Sequence, residues 1–240
     1  MSAVHGGRRV RIGHGDALLA TEAVENYLKA VYRLCRESPT GEAGMSKVAA
    51  VVGVTTGTAT TMVKKLAAAK LAKYERFGGV SLTAKGERAA LDILRRHRLV
   101  ETFLVETLKL DWSQVHAEAE RLEHAISPLV MAALDAHLGH PVVDPHGDPI
   151  PDVKGAVREA GLSPLSACGE GARVRVSRIA DQDASFLSFV AEHGLKPGAS
   201  VEVIEVSAAA QSMRVKAAGF SAITLALGAA VKIGVERGGG

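Results

Sequence analysis

The chain has 240 residues, of which 47% are apolar and 23% charged. That is enough to bury one or two real cores, and it excludes wholesale disorder. The longest uncharged run near the end, residues 217–231, is shorter than the roughly 20 residues a spanning helix needs and is interrupted by glycine and hydroxyl residues, which excludes a membrane span there. The first sixteen residues hold Arg8, Arg9 and Arg11 but no apolar block, and Cys35 and Cys168 form no close pair, so a cytoplasmic protein with reduced thiols is expected. Charge is uneven. Residues 1–90 carry 14 Lys and Arg against 7 Asp and Glu, which suits a polyanionic partner. Residues 91–155 carry 6 against 11 and hold six of the nine histidines, which suits a cation.

A Gly- and Arg-rich tail over 1–16 is expected to be disordered. Helical periodicity begins at Thr21, with Val24, Leu28, Val31, Tyr32 and Cys35 on one face, and ends at Pro39-Thr40-Gly41. A short helix capped by Ser46 and stopped by Gly53 follows. Thr55-Thr56-Gly57 is a tight connection, and 58–69 is a second helix with Ala59, Met62, Val63 and Leu66 inward. Two short helices around a Gly-containing turn are the helix-turn-helix signature. Strands over 71–76 and 80–83, turning at Phe77-Gly78-Gly79, add a wing.

From Thr83 to about Leu138 the pattern is helical: a long helix over 86–108, a second capped by Ser113 and running to 124 or 125, and a third opened by Ser127-Pro128 that packs Leu129, Val130, Ala133, Leu134 and Leu138. Four prolines make 139–151 non-helical, and 155–171 reads as a linker. Beyond it the period becomes two, over 173–179, 200–206, 213–216 and 230–235, with a helix at 185–193. The expected fold is mainly α with a C-terminal β domain, a small SH3-like barrel. The expected domains are a winged helix-turn-helix at 17–90, a helical dimerisation and metal-binding domain at 91–154, the linker, and the barrel at 172–240.

His116, Glu120, Glu123 and His124 fall within about 100° of one helix face, so their side chains can converge on a cation. One helix earlier, His97 and Glu101 repeat the i, i+4 spacing. Carboxylate and imidazole donors without thiolate suit Mn(II) or Fe(II) better than copper or structural zinc.

The run Arg96-His97-Arg98-Leu99-Val100-Glu101, the stretch from Leu110-Asp111-Trp112 through Glu120-Arg121-Leu122-Glu123-His124, and Pro145-His146-Gly147-Asp148-Pro149 together resemble the diphtheria toxin repressor family of metal-dependent transcriptional regulators. Glu25-Asn26-Tyr27-Leu28 resembles that family's first helix. The resemblance implies two neighbouring metal positions: His97, Glu101 and His116 at an ancillary site, and Glu120, Glu123, His124 and Asn26 at a primary one. Asp181, Gln182 and Asp183 lie where iron-responsive members lend ligands from the barrel. Those members carry Cys at the position of Glu120 and Met at that of Asn26; manganese-responsive members have Glu at the former and usually Asp at the latter.

The expected function is therefore a manganese-responsive DNA-binding repressor of metal-uptake genes, with Mn2+ as cofactor. An iron-responsive regulator using Fe2+ is the alternative in the same class, and a metal-dependent hydrolase the alternative in another. The hydrolase reading lacks a nucleophile motif and has no use for a winged helix. Thr55, Thr58, Thr60, Thr61, Lys64, Lys65 and Arg76 are the candidate contacts to double-stranded DNA. A homodimer built chiefly by Leu129, Val130, Ala133, Leu134 and Leu138 would read a near-palindromic operator.

Overall fold

The computed structural model describes residues 21–76 and 78–237, so the expected tail over 1–16 and Phe77 of the wing turn lie outside the described residues. The chain forms two compact units divided after Ile93.

In the first unit, α1 (Glu22–Glu37), α2 (Met45–Val52) and α3 (Thr56–Ala68) precede a two-stranded wing, β1 (Ala72–Tyr74) antiparallel to β2 (Val80–Leu82). The periodic apolar residues close one core: Val24, Leu28 and Val31 from α1, Val48 from α2, Ala59, Val63 and Leu66 from α3, and Leu71 and Val80 from the wing. Gly53 ends α2 in the left-handed region, at φ +73°. Two boundaries differ from the sequence reading. Gly44, not Ser46, is the N-cap of α2, because Ala43 exchanges two backbone hydrogen bonds of 2.9 Å with Val80 and so fixes the chain just ahead of the helix. Thr55-Thr56-Gly57 is not a separate connection. Thr55 caps α3, its Oγ1 accepting from the Thr58 N–H at 3.2 Å, and the next two residues form the first turn.

α4 (Ala84–Glu106) begins in the first unit and continues into the second, where α5 (Val115–Leu122) and α6 (Pro128–His137) follow. Ser113 does not cap α5. Its N–H and hydroxyl are both held by Asp111 Oδ1, and Gln114 takes the cap position. α5 ends at Leu122, so Glu123 and His124 stand in the following turn. Ser127 does cap α6, accepting from the Val130 N–H at 3.3 Å, with Pro128 in its first turn. The residues expected to pack on α6 are not buried within this chain: Leu129 is 80% exposed and Val130 47%.

A six-stranded antiparallel sheet follows, in the order β3-β8-β4-β5-β6-β7. Its strands are β3 (Ser163–Pro164), β4 (Arg173–Ile179), β5 (Ser200–Ser207), β6 (Ser212–Ala217), β7 (Ile223–Ala226) and β8 (Ile233–Arg237). α7 (Ala184–Glu192) joins β4 to β5, and α8 (Leu227–Ala230) precedes β8. Alternate residues Val174, Val176, Val201, Val203, Met213 and Val215 face one core with Leu187 and Val190 of α7. The linker reading fails over 163–171: β3 pairs with β8, and Leu165 is fully buried. The strand expected at 230–235 starts at Ile233, because 227–230 form a helical turn, and β7 was not anticipated. Its four residues, Ile223-Thr224-Leu225-Ala226, are too short a run to display a period.

Candidate metal centre

α4 places His97 and Glu101 one turn apart, and α5 lays His116 and Glu120 beside them. His97 Nε2 is 3.0 Å from Glu101 Oε1 and 3.0 Å from His116 Nδ1, and His116 Nδ1 is 3.1 Å from the same carboxylate oxygen. His97 and Glu101 are buried and His116 half-buried. The other His97 nitrogen, Nδ1, is 2.6 Å from Glu123 Oε2 and 3.8 Å from Glu120 Oε1. Glu120 Oε1 is also 3.7 Å from His116 Nε2. His97 therefore belongs to both groups of donors: His97, Glu101 and His116 in one, His97, Glu120 and Glu123 in the other, with the ligand atoms of each group within 4.8 Å of one another. His124 Nε2 lies 3.4 Å from Glu123 Oε1 of the second group. Glu123, the residue that closes α5, keeps helical dihedrals, and His124 follows it directly.

A third cluster joins Glu101 to Asp144 and His146, all buried. Sequence reasoning singled out neither Asp144 nor His146 as a donor. The only signal was two donors flanking Pro145 in a proline-rich loop of an acidic segment. His146 Nε2 lies 2.9 Å from the Trp112 carbonyl oxygen, which can only accept. In the neutral ring the proton is therefore on Nε2, leaving Nδ1 a bare lone pair. That nitrogen is buried without a hydrogen-bond partner, 3.9 Å from Glu101 Oε2. An imidazole oriented by a backbone carbonyl, with its other nitrogen facing a carboxylate, is the arrangement of a metal ligand.

The electrostatics agree. Burial pushes the Glu101 carboxyl up, but the charge of His97 and hydrogen bonds from His116 and His97, with His146 behind them, hold it well below the usual range. Asp144 is pushed well above that range, by burial first and then by the charges of Asp148 and Glu101, against Arg98. Imidazoles and carboxylates crowded in a dry site fit a divalent cation, which would compensate both.

Asp181 is paired with Lys232, and Asp183 caps α7, accepting from the Phe186 N–H at 2.9 Å. Gln182 Oε1 is buried without a partner. Asn26 lies on α1 in the first unit, its Oδ1 also buried and unpartnered.

On α3, Thr55, Thr58, Thr61, Lys64 and Lys65 are exposed and Thr60 half-buried; Arg76 is exposed on the wing. The Thr60 and Thr61 hydroxyls donate to the carbonyls of Thr56 and Gly57, at 2.7 and 3.0 Å. Their oxygens are left as acceptors.

The family described as iron dependent repressor, N-terminal DNA binding domain, matches residues 20–80. The metal binding and dimerisation domain of the iron dependent repressors matches 83–152, and the FeoA domain 163–237. The iron-dependent repressor IdeR of Mycobacterium tuberculosis is 32% identical over 158 residues, 66% of this chain and 66% of its own. The HTH-type transcriptional regulator MntR of Shouchella clausii is 34% identical over 109 residues, 45% of this chain and 74% of that one. Among solved structures, a manganese-dependent transcriptional repressor in complex with manganese superposes with a TM-score of 0.82 at 38% identity, covering 89% of this chain and 99% of that one. The chain belongs to the diphtheria toxin repressor family of metal-dependent transcriptional regulators.

Proposed function

We propose that this protein is a manganese-responsive repressor that binds DNA as a homodimer when divalent metal is present. The observation that carries the reading is the donor set. His97, Glu101, His116, Glu120 and Glu123 offer only imidazole nitrogen and carboxylate oxygen, whereas Cys35 donates to the Val80 carbonyl and Cys168 packs against the barrel core. Hard donors without thiolate favour Mn(II) over softer ions. Glu120 stands where iron-responsive relatives carry Cys. The family likeness adds His124 and Asn26 to this set, and the structure adds Asp144 and His146 beside Glu101. A bound divalent cation supplies positive charge that offsets the buried carboxylates. His97, with one nitrogen toward Glu101 and the other toward Glu123, makes occupancy of one group felt by the other.

On the DNA side, Lys64, Lys65 and Arg76 meet phosphates, and Thr55 and Thr58 lie at the N-terminus of α3 where backbone N–H groups also favour phosphate. Thr60 and Thr61, already donating within the helix, accept from base amino groups in the major groove. The exposed leucine and valine face of α6 pairs two copies, so that two winged helices read a near-palindromic operator. Metal that favours the DNA-competent arrangement shifts the population toward it.

The iron-responsive reading is supported by the likeness to the mycobacterial repressor. Operator binding titrated with Mn(II), Fe(II), Co(II) and Zn(II) at fixed ionic strength separates the two. The manganese reading expects full activation by Mn(II) at metal concentrations where Fe(II) activates less. Equal or stronger activation by Fe(II) overturns it in favour of the iron reading, and DNA binding that ignores metal overturns both.

A further inference from the structure

The loop that carries Asp144 and His146 is tied to the barrel on its outer side. Asp144 Oδ1 accepts from the N–H groups of His146 and Asp148, at 2.8 and 2.9 Å, and the Asp144 N–H donates to the Asp148 carbonyl at 2.9 Å. These bonds make the loop one tight turn. Its far face lies on β4. The His146 carbonyl accepts from the Ile179 N–H at 2.8 Å. Gly147, at φ +84°, sits so close that a Cβ there would stand 1.9 Å from the Ser177 carbonyl oxygen and 2.8 Å from Arg178 Cα. This is where β4 is irregular, its register against β8 shifting between Val176 and Arg178. The shift lets Arg178 reach Asp148, with Nη2 2.5 Å from Oδ1.

We propose that Asp148 and Arg178 are positioning residues for the metal centre. Their ion pair, seated on the irregular turn of β4, holds Asp144 and His146 at the distance from Glu101 that a shared cation requires. The barrel then tunes metal affinity through the position of this loop. This rests on the reading of Glu101, Asp144 and His146 as metal donors. A second cation shows how the effect travels. Arg98 lies 3.7 Å from both Asp144 Oδ2 and Asp148 Oδ1. Without Arg178, Arg98 is the remaining cation paired with Asp148 among the described residues, which draws that guanidinium from Asp144 and lets the turn shift.

The test uses the full chain and Mn(II) alone, followed by calorimetry and by the emission of Trp112. That residue is the one tryptophan of the sequence, and its ring stacks on His146 at 5.2 Å between centroids. His146→Gln should abolish the binding phase that Trp112 reports. Arg178→Met and Asp148→Asn should weaken that phase by about 10- to 100-fold, the usual cost of losing a group that orients a ligand. Arg178→Lys should recover more than half of the loss on a logarithmic scale, while the metal-free melting temperatures of Arg178→Met and Arg178→Lys stay close. Unchanged affinity in Arg178→Met, or a lysine variant as weak as the methionine one, overturns the positioning role. Should Arg178→Met fail to fold, Asp148→Asn, of nearly the same shape, decides by the same criterion. If His146→Gln binds Mn(II) as the unaltered chain does, the donor reading itself falls, and the proposal with it.

Discussion

Leu129 tests the dimer reading most directly. It projects from α6 with 80% of its surface exposed, on a helix with no buried residue of its own. Fully burying a leucine contributes about 1.5–3 kcal/mol. Truncation to alanine at a copy-to-copy interface should then cost about 1.5 kcal/mol per protomer. A two-fold interface uses the patch twice, so Leu129→Ala should destabilise the dimer by about 3 kcal/mol, or roughly 150-fold in its dissociation constant. Within one chain the same side chain supports little, so the melting temperature of dissociated protein should hardly move. Sedimentation equilibrium from nanomolar to micromolar protein measures the constant, with Ile204→Ala, half-exposed on β5, as the control. A Leu129→Ala variant that dimerises like the unaltered chain refutes the assignment of α6, as does an unaltered chain that stays monomeric with metal and DNA present.

Three further outcomes are expected. Lys64→Ala, Lys65→Ala and Arg76→Ala should each lower the slope of log K against log salt by about 0.9 where the residue meets a phosphate, and an unchanged slope in all three rejects that face. Glu120→Cys should weaken activation by Mn(II) and strengthen it by Fe(II) or Co(II), as read from metal-dependent operator binding; an unchanged order of metals removes Glu120 from the donor set. Asp144, its carboxyl raised, holds its proton in the folded chain at pH values where the unfolded chain has lost it. Metal-free stability therefore declines through this group as pH rises from about 4 toward its folded pKa. The melting temperature of Asp144→Asn minus that of the unaltered chain should grow with pH without metal, and a difference that is flat from pH 4 to 8 rules this out.

Periodicity revealed much of this molecule because it reports burial. The apolar stripe of α1 and the alternation over 173–179 each follow from one face meeting a core. Boundaries were less legible, because they depend on partners far along the chain. Ala43 meets Val80 and so moves the start of α2; Leu165 enters a core whose strands begin later. The candidate centre divides the same way. His97, Glu101, His116 and Glu120 lie one helical turn apart in pairs, and spacing finds them. Asp144 and His146 sit in a loop with no period, and only the fold brings them to Glu101. His124 lies just past the last residue of α5, beside Glu123, whose backbone is still helical.

The buried charges give the strongest physical reason to expect metal linkage. Glu101, Glu123, Asp144 and Asp148 are all buried, together with His97 and His146. Burying a charge is costly unless it is compensated; here Glu101 and Glu123 share His97, Asp148 has Arg178, and Asp144 shares Arg98 with Asp148. The raised Asp144 carboxyl is the sign that this compensation is incomplete. An apolar cluster of the same volume would stabilise the fold at least as well, so folding alone does not explain these residues. The proposed cation binding gives them a reason: a ligand present at 100 times its dissociation constant stabilises the state that holds it by about 2.7 kcal/mol, enough to shift a conformational equilibrium about 100-fold. A repressor that must distinguish metal-poor from metal-rich conditions needs a centre that is under-compensated without its ion. The candidate donors meet that condition through their charges as well as through their geometry.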